Sequence, residues 1–335
     1  ESAYIRNGTP DAKFYTINDS LLDADRITLA SLLSLTSSVY FNKFFDYNKF
    51  TNILHGGFDG LNILDADMAK MNDKSTSSAQ GGKAAGGANS RLGLPASYTP
   101  GVGKTNNGVA SYRAGIEIIT DPMSSRVNIV AVPGIRDSYV TDYASDLTRD
   151  YSKAMYLMDI PSYDQDKNRL FDDSTAKPNV DNSVEKFDGR AMDNNYVATY
   201  FPDVSINDAQ NNKIVKVPSS VAAISALGYN DSVSYPWFAP AGFNRAALDF
   251  VVNTKVRLTA ADRDTLYESM INPIANFPDA GFVIFGQKTM QQSRSALDRV
   301  NVRRMLLEVK RLVVDIANKL LFEQNTPETR ARFVA

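Results

Sequence analysis

Three short apolar runs, at 127–132 (VNIVAV), 196–201 (YVATYF) and 282–285 (FVIF), restrict the fold more than any other feature of this sequence. Each run is continuous, so a strand made from it shows apolar side chains on both faces and has to be covered on both. Pro or Gly bounds the runs, and helical patterns occupy the intervals at 110–119, 140–159 and 260–271. Strands covered on both faces and separated by helices predict an α/β fold, a parallel or mixed sheet core with helices over it.

A chain of 335 residues exceeds the roughly 250 to 300 at which single cores stop growing, which predicts a multi-domain molecule. Residues 1–50 read as a smaller, partly β outer region or linker, and residues 51–330 as the α/β core. A crowd of aromatic residues at 39–50, including Tyr40, Phe41, Phe44, Phe45, Tyr47 and Phe50, reads as core filling. Two stretches interrupt the pattern. Residues 71–108 are rich in Ser, Gly, Ala, Asn and Lys and predict a mobile loop, and residues 163–195 predict a polar surface excursion. The clearest helix covers 298–323, where Val302, Met305, Leu306, Val309, Leu312, Val313, Ile316 and Leu320 fall three or four apart. Such a stripe is what a helix lays on a core. Arg303, Arg304, Lys310, Arg311 and Lys319 lie mostly off it.

The 36 basic and 38 acidic side chains leave a net charge of −2, with no field to attract nucleic acid or an anionic membrane. No apolar run approaches the roughly 18 to 20 residues that span a bilayer. Cysteine is absent, which removes disulfides, thiolate nucleophiles and thiolate metal sites.

Chemical motifs are weak. Gly101 to Thr105 (GVGKT) looks like the end of a phosphate-binding loop, yet Tyr98 stands where that motif needs its first Gly, and no apolar strand leads in. His55 is the single histidine, so a two-histidine zinc site is impossible and a Ser/His/Asp triad has one possible base. The acidic pairs Asp65 and Asp67, Asp164 and Asp166, and Asp172 and Asp173 sit in polar surroundings and read as solvated loop charges. A weak cation site within 164–173 is the remaining candidate, and it does not meet the EF-hand pattern. No cofactor, catalytic residue or metal ligand is therefore expected. The rival readings are an α/β hydrolase or nucleotide enzyme built on His55 or Lys104, and a glycan-binding adhesin module.

Eight segments in order resemble the tail sheath family of contractile bacteriophages and related injection machines. They are GGFDG (56–60), NIVAVPGI (128–135), YFPDV (200–204), VPSSVAA (217–223), APAGF (239–243), NPI (272–274), VIFGQKT (283–289) and VNVRR (300–304). Gln287 and Lys288 depart from the G-x-R-T often found in the family at that point, and the insertion at 71–108 looks peculiar to this chain. The resemblance implies a non-enzymatic structural subunit of a virion tail, assembled in the host cytoplasm. Its partners would be other sheath subunits, a tail tube protein and a baseplate, with neither nucleic acid nor membrane among them. Copies would polymerise around a rigid tube and contract to drive it through an envelope. Arg303, Arg304, Lys310 and Arg311 are the expected interface residues, facing an acidic neighbour or the tube. Residues 331–335 read as the start of a truncated C-terminal assembly region, so the chain is expected to be a monomeric fragment lacking the arms that link subunits by strand addition.

Overall fold

The computed structural model describes residues 4–6, 26–28, 73–76 and 103–334 apart from 173. The chain divides into two compact units, Glu1–Ala110 and Ser111–Ala335. Within the described part of the first, strands β1 (Tyr4–Arg6) and β2 (Arg26–Thr28) pair antiparallel, and α1 (Asp73–Thr76) forms a single turn. The aromatic crowd at 39–50, His55, the segment GGFDG and most of the glycine-rich stretch lie outside the described residues. Helix α2 (Asn107–Ile119) runs across the division between the units.

The second unit is organised by a five-stranded sheet in the order β12, β11, β7, β4, β3. Strands β3 (Ile129–Ala131), β4 (Met155–Met158), β7 (Val197–Phe201) and β11 (Ile271–Phe277) are parallel, and β12 (Gly281–Ile284) closes one edge antiparallel to β11. The sheet is mixed, one of the two arrangements, parallel or mixed, that the apolar runs leave open. Every residue of β4 and of β7 is buried. Met155 and Leu157 of β4 and Ala198 and Tyr200 of β7 pack with Ala222, Ala223, Ala226 and Leu227 of α5 (Ser219–Val233), the alternation of a pleated strand.

The helical stretch expected at 140–159 is two elements. Helix α3 (Ser138–Tyr151) begins at Asp137, whose carboxylate accepts the Tyr139 N–H, and ends at Ser152 in the left-handed region (φ 54°). The chain then enters β4, a central strand. Its sequence, MYLM, carries no Pro, Gly or alternation to separate it from a helix end. Likewise the expected helix 260–271 stops with α6 (Ala260–Glu268), held at its start by a reciprocal cap between Thr259 and Asp262, and Ile271 opens β11.

The stretch 163–195 folds as β5 (Ser162–Tyr163), β6 (Arg169–Leu170) and α4 (Val180–Asp188), with Val180, Ser183, Val184 and Phe187 buried. A three-stranded antiparallel sheet, ordered β10 (Val251–Thr254), β8 (Val204–Asp208) and β9 (Lys213–Val217), completes the strands.

Polar side chains fix these pieces together. Asp159, at the carboxyl end of β4, accepts the Gly134 N–H at 2.9 Å, the Ser219 hydroxyl at 3.0 Å, and both the N–H and hydroxyl of Ser220. It thereby joins the turn after β3 to the start of α5. Beside it the Arg136 guanidinium, almost wholly buried, donates to Asp203 at 2.8 Å, and Lys216 of β9 lies 3.4 Å from the same carboxylate. Burial pushes the Asp159 pKa up, partly offset by Arg136.

Candidate subunit interface

Helix α7 (Val300–Asn318) carries the apolar stripe that its sequence assigns to a core, and the structure turns that stripe outward. Val309 and Leu312 are 51% and 52% exposed, and Met305, Leu306, Val313 and Ile316 are exposed beside them. The residues facing the body are Val300, Arg303, Arg304 and Leu307. The inversion has a cause in side-chain chemistry. The Arg303 guanidinium lies 4.1 Å from the centre of the Tyr196 ring and its Nε donates to the Asn195 carbonyl at 3.1 Å, so a charged side chain fills a place that periodicity reserves for an apolar one. Arg304 pairs with Asp231 near the end of α5.

This places the four expected interface residues differently. Arg303 and Arg304 are buried, at 6% and 8% exposure, and are occupied inside the fold, so they do not form an outward basic face. Lys310 and Arg311 lie further along the helix. Lys310 donates to the Ser152 hydroxyl and Arg311 to Glu308. Arg311 also lines a cleft of about 180 Å³ with Arg126 and Lys153, two cations whose positions in the chain carry no sign of this grouping.

The row that α7 exposes continues into an aromatic cluster. Asn301, four residues before Met305, donates to the Trp237 carbonyl at 3.3 Å. The Trp237 ring stacks on Tyr235 with centroids 4.6 Å apart and planes 2° from parallel. Tyr229, Val233, Tyr235 and Trp237 are all substantially exposed. Exposed apolar side chains of α7 and exposed aromatic side chains on and just after the last turns of α5 are thus tied together at Asn301. Exposed patches of this kind on otherwise well-packed domains mark contact with other macromolecules. The sequence shows the aromatic residues at 229–238, but nothing in it marks them as outward.

The chemical candidates are dispersed. Gly103–Thr105 forms one 3-10 turn with Lys104 exposed, and the rest of that motif, like His55, lies outside the described residues. Asp164 accepts the N–H groups of Asp166 and Asn168 in a local turn, and Asp172 lies within ion-pair distance of Arg136 and Lys216. Among the described residues no three metal-ligating side chains converge, and no helix is long and apolar enough to cross a membrane.

No family model matches the chain. Among curated proteins it is 32% identical over 243 residues to the tail sheath protein of Vibrio phage KVP40, covering 68% of this chain and 36% of that protein. It is 34% identical over 122 residues to the tail sheath protein of Enterobacteria phage T4, covering 36% of this chain and 18% of that one. The chain therefore spans about a third of the length of the first of these relatives. Among solved structures it resembles the anti-feeding prophage baseplate (TM-score 0.49, 20% identity, 70% of this chain and 56% of that one). It also resembles the contracted helical sheath of the same system (TM-score 0.48, 22% identity, 70% and 58%). Over two thirds of its length, the chain is a relative of the contractile bacteriophage tail sheath proteins.

Proposed function

We propose that this chain is part of a structural, non-enzymatic subunit of a contractile tail sheath in the virion, and that α7 and the adjoining aromatic cluster bind another copy of the subunit. The observation that carries this reading is the outward apolar row of α7, from Met305 through Val309 and Leu312 to Ile316. A row of this kind costs solubility in a free monomer and gains by burial against a repeated partner. The sequence relationship to tail sheath proteins supports a second copy as that partner. Heterologous contacts between identical subunits generate rings or open helices, the geometry a sheath needs around a rigid tube. Contraction is then rigid-body reorientation of well-packed subunits, driven by the difference in interface free energy between two lattices. The tail tube and the baseplate are the other partners this reading requires.

The test is electron microscopy of assemblies formed by the full-length sheath subunit carrying Val309→Glu and Leu312→Glu together, beside the same subunit without them. Loss of striated tubes with an unchanged unfolding midpoint is expected. Tubes of normal appearance and yield would overturn the assignment of α7.

A further inference from the structure

Helix α5 lacks the charged face that a surface helix presents to water. Its sequence, SSVAAISALGYNDSV, holds one charged residue, Asp231, and Arg304 of the same chain pairs with it. One side of the helix, with Ala222, Ala223, Ala226 and Leu227, is buried on the sheet. The other side carries Ile224, Tyr229 and Val233, exposed at 37%, 50% and 54%. A helix with apolar side chains on both sides and no charged face has the composition of one covered on both.

Val221, Ser225, Gly228 and Ser232 run along the middle of this outward side, four, three and four residues apart. At 100° per residue, Ile224 stands on one flank of that row and Tyr229 and Val233 on the other. The row is therefore a shallow groove with apolar walls. Glycine inside a helix is unfavourable relative to alanine, because it gives up more backbone freedom on folding. Nothing in this chain calls for it at 228, where a Cβ would meet no atom within 4 Å. What it provides is room for a close approach from outside.

The outward row of α7 matches this groove. Met305, Val309, Leu312 and Ile316 are likewise four, three and four residues apart, so row and groove share a length of about 16 Å and the same slant. Large side chains on one helix seat in a groove of small ones on another when the two cross at a shallow angle. The spacing reads the same in both directions. Gly228 then lies opposite Leu312 for parallel helices and opposite Val309 for antiparallel ones. Row and groove are both exposed on the same chain, so they do not fill one another within a copy. Between copies, the contact is head to tail and repeats without closing on a pair.

We propose that the outward face of α5 is the seat of α7 from a neighbouring copy, with the row from Met305 to Ile316 lying over Gly228 between Ile224 and Tyr229. This rests on the subunit reading of α7 and adds the surface that α7 meets.

The chain contains no cysteine, so introduced cysteines report the contact. Full-length subunit, with any cysteine outside this chain replaced by serine, is prepared in two batches. One carries Gly228→Cys, or Ser225→Cys where the former blocks assembly, and the other carries Val309→Cys or Leu312→Cys. The batches are mixed, assembled into tubes and oxidised. A disulfide needs Cβ atoms about 4 Å apart. The expected result is a linked dimer with one of the two α7 cysteines, and none when the second batch carries Ile214→Cys, an exposed position on β9. In a second measurement, Gly228→Leu should keep the unfolding midpoint of the unassembled subunit at or above the wild-type value, because the single copy has open space there. The same change should raise the concentration needed for tubes by about tenfold. A fall in the midpoint leaves the cysteine pairs to decide alone. Tubes without a link to either α7 cysteine, an equal link to Ile214→Cys, or a stable Gly228→Leu subunit that assembles at the wild-type concentration would each overturn the proposal. Tubes lost with Val309→Glu and Leu312→Glu but kept with Gly228→Leu would leave the sheath role of α7 standing and remove α5 as its seat.

Discussion

The Asp159 carboxylate accepts the Ser220 hydroxyl at 2.7 Å through one oxygen and the Ser220 backbone N–H at 2.9 Å through the other. A side chain at the end of the second strand of the sheet thereby satisfies the first turn of a helix that begins 60 residues later, along with the Gly134 N–H. Replacing Asp159 by Asn keeps the shape but puts an NH2 group where N–H and O–H donors point. Donors left without acceptors in a buried site cost about 1 to 3 kcal/mol each, so Asp159→Asn should lower the unfolding free energy by at least that much for one such loss. Urea denaturation at neutral pH measures it.

The same residue predicts a pH dependence. Burial raises the folded-state pKa of Asp159 above its ordinary value of 3.8. The folded protein therefore holds this proton more firmly than the unfolded chain, and the protonated acid's contribution is fully present below pH 3.8 and is lost as pH rises through the folded pKa. The stability of the wild type minus that of Asp159→Asn should fall as pH increases above 3.8. Paired denaturation curves across the acid range test the sign, and a difference that grows with pH would contradict it.

Arg303 and Arg304 give a prediction opposite to the one their sequence suggests. Since Arg303 lies on the Tyr196 ring and donates to the Asn195 carbonyl, Arg303→Ala removes a cation–π contact and leaves a carbonyl unpaired. A loss of about 2 kcal/mol is expected, whereas Val309→Glu and Leu312→Glu, both on the outward row, should stay within about 0.5 kcal/mol of the wild type. Thermal melts of the three variants discriminate the buried from the exposed side of α7.

The contrast within α7 also separates what a sequence displays from what it hides. The existence of the helix and its apolar periodicity are plain in the residues, and a sheet covered on both faces follows from VNIVAV, YVATYF and FVIF, although its one antiparallel edge does not. Which side of α7 meets the body is not, because that depends on Tyr196 and Asn195, more than a hundred residues away, offering arginine a better seat than a leucine would find. Strand β4 is concealed for a different reason. A buried four-residue apolar run directly after a helix has the same composition as one more helical turn, and only the left-handed Ser152 separates them. Strand β11 is concealed by Pro273, which lacks an N–H to donate and argues against a central strand, yet lies where β11 passes from its pairing with β7 to its pairing with β12. The aromatic cluster can be counted in the sequence but not oriented.

Tyr156 offers a test of the interior itself. Its side chain is fully buried on β4, and its hydroxyl has no hydrogen-bond partner among the described residues. Removing a polar group that folding strips of water without replacing the lost hydrogen bonds should not destabilise, so Tyr156→Phe is expected to match or exceed the wild type in urea midpoint. A drop of more than about 1 kcal/mol would mean that the hydroxyl has a partner, such as an internal water.

Gly286 tests the packing where the chain leaves β12. A Cβ at this position would stand 2.9 Å from the Asn272 side-chain oxygen and 3.1 Å from Pro273 Cδ. Asn272 cannot easily withdraw, because its amide nitrogen donates to the Thr199 and Lys288 carbonyls and its oxygen accepts the Lys288 N–H at 2.6 Å. Gly286→Ala must therefore either displace this buried amide or push the strand end away from β11. Overpacking of this kind costs about 1 to 3 kcal/mol, and differential scanning calorimetry should register a lower midpoint. At Gly228, on α5, a Cβ meets nothing within 4 Å, and there the same substitution should raise the midpoint, since alanine favours the helix by roughly 1 kcal/mol over glycine.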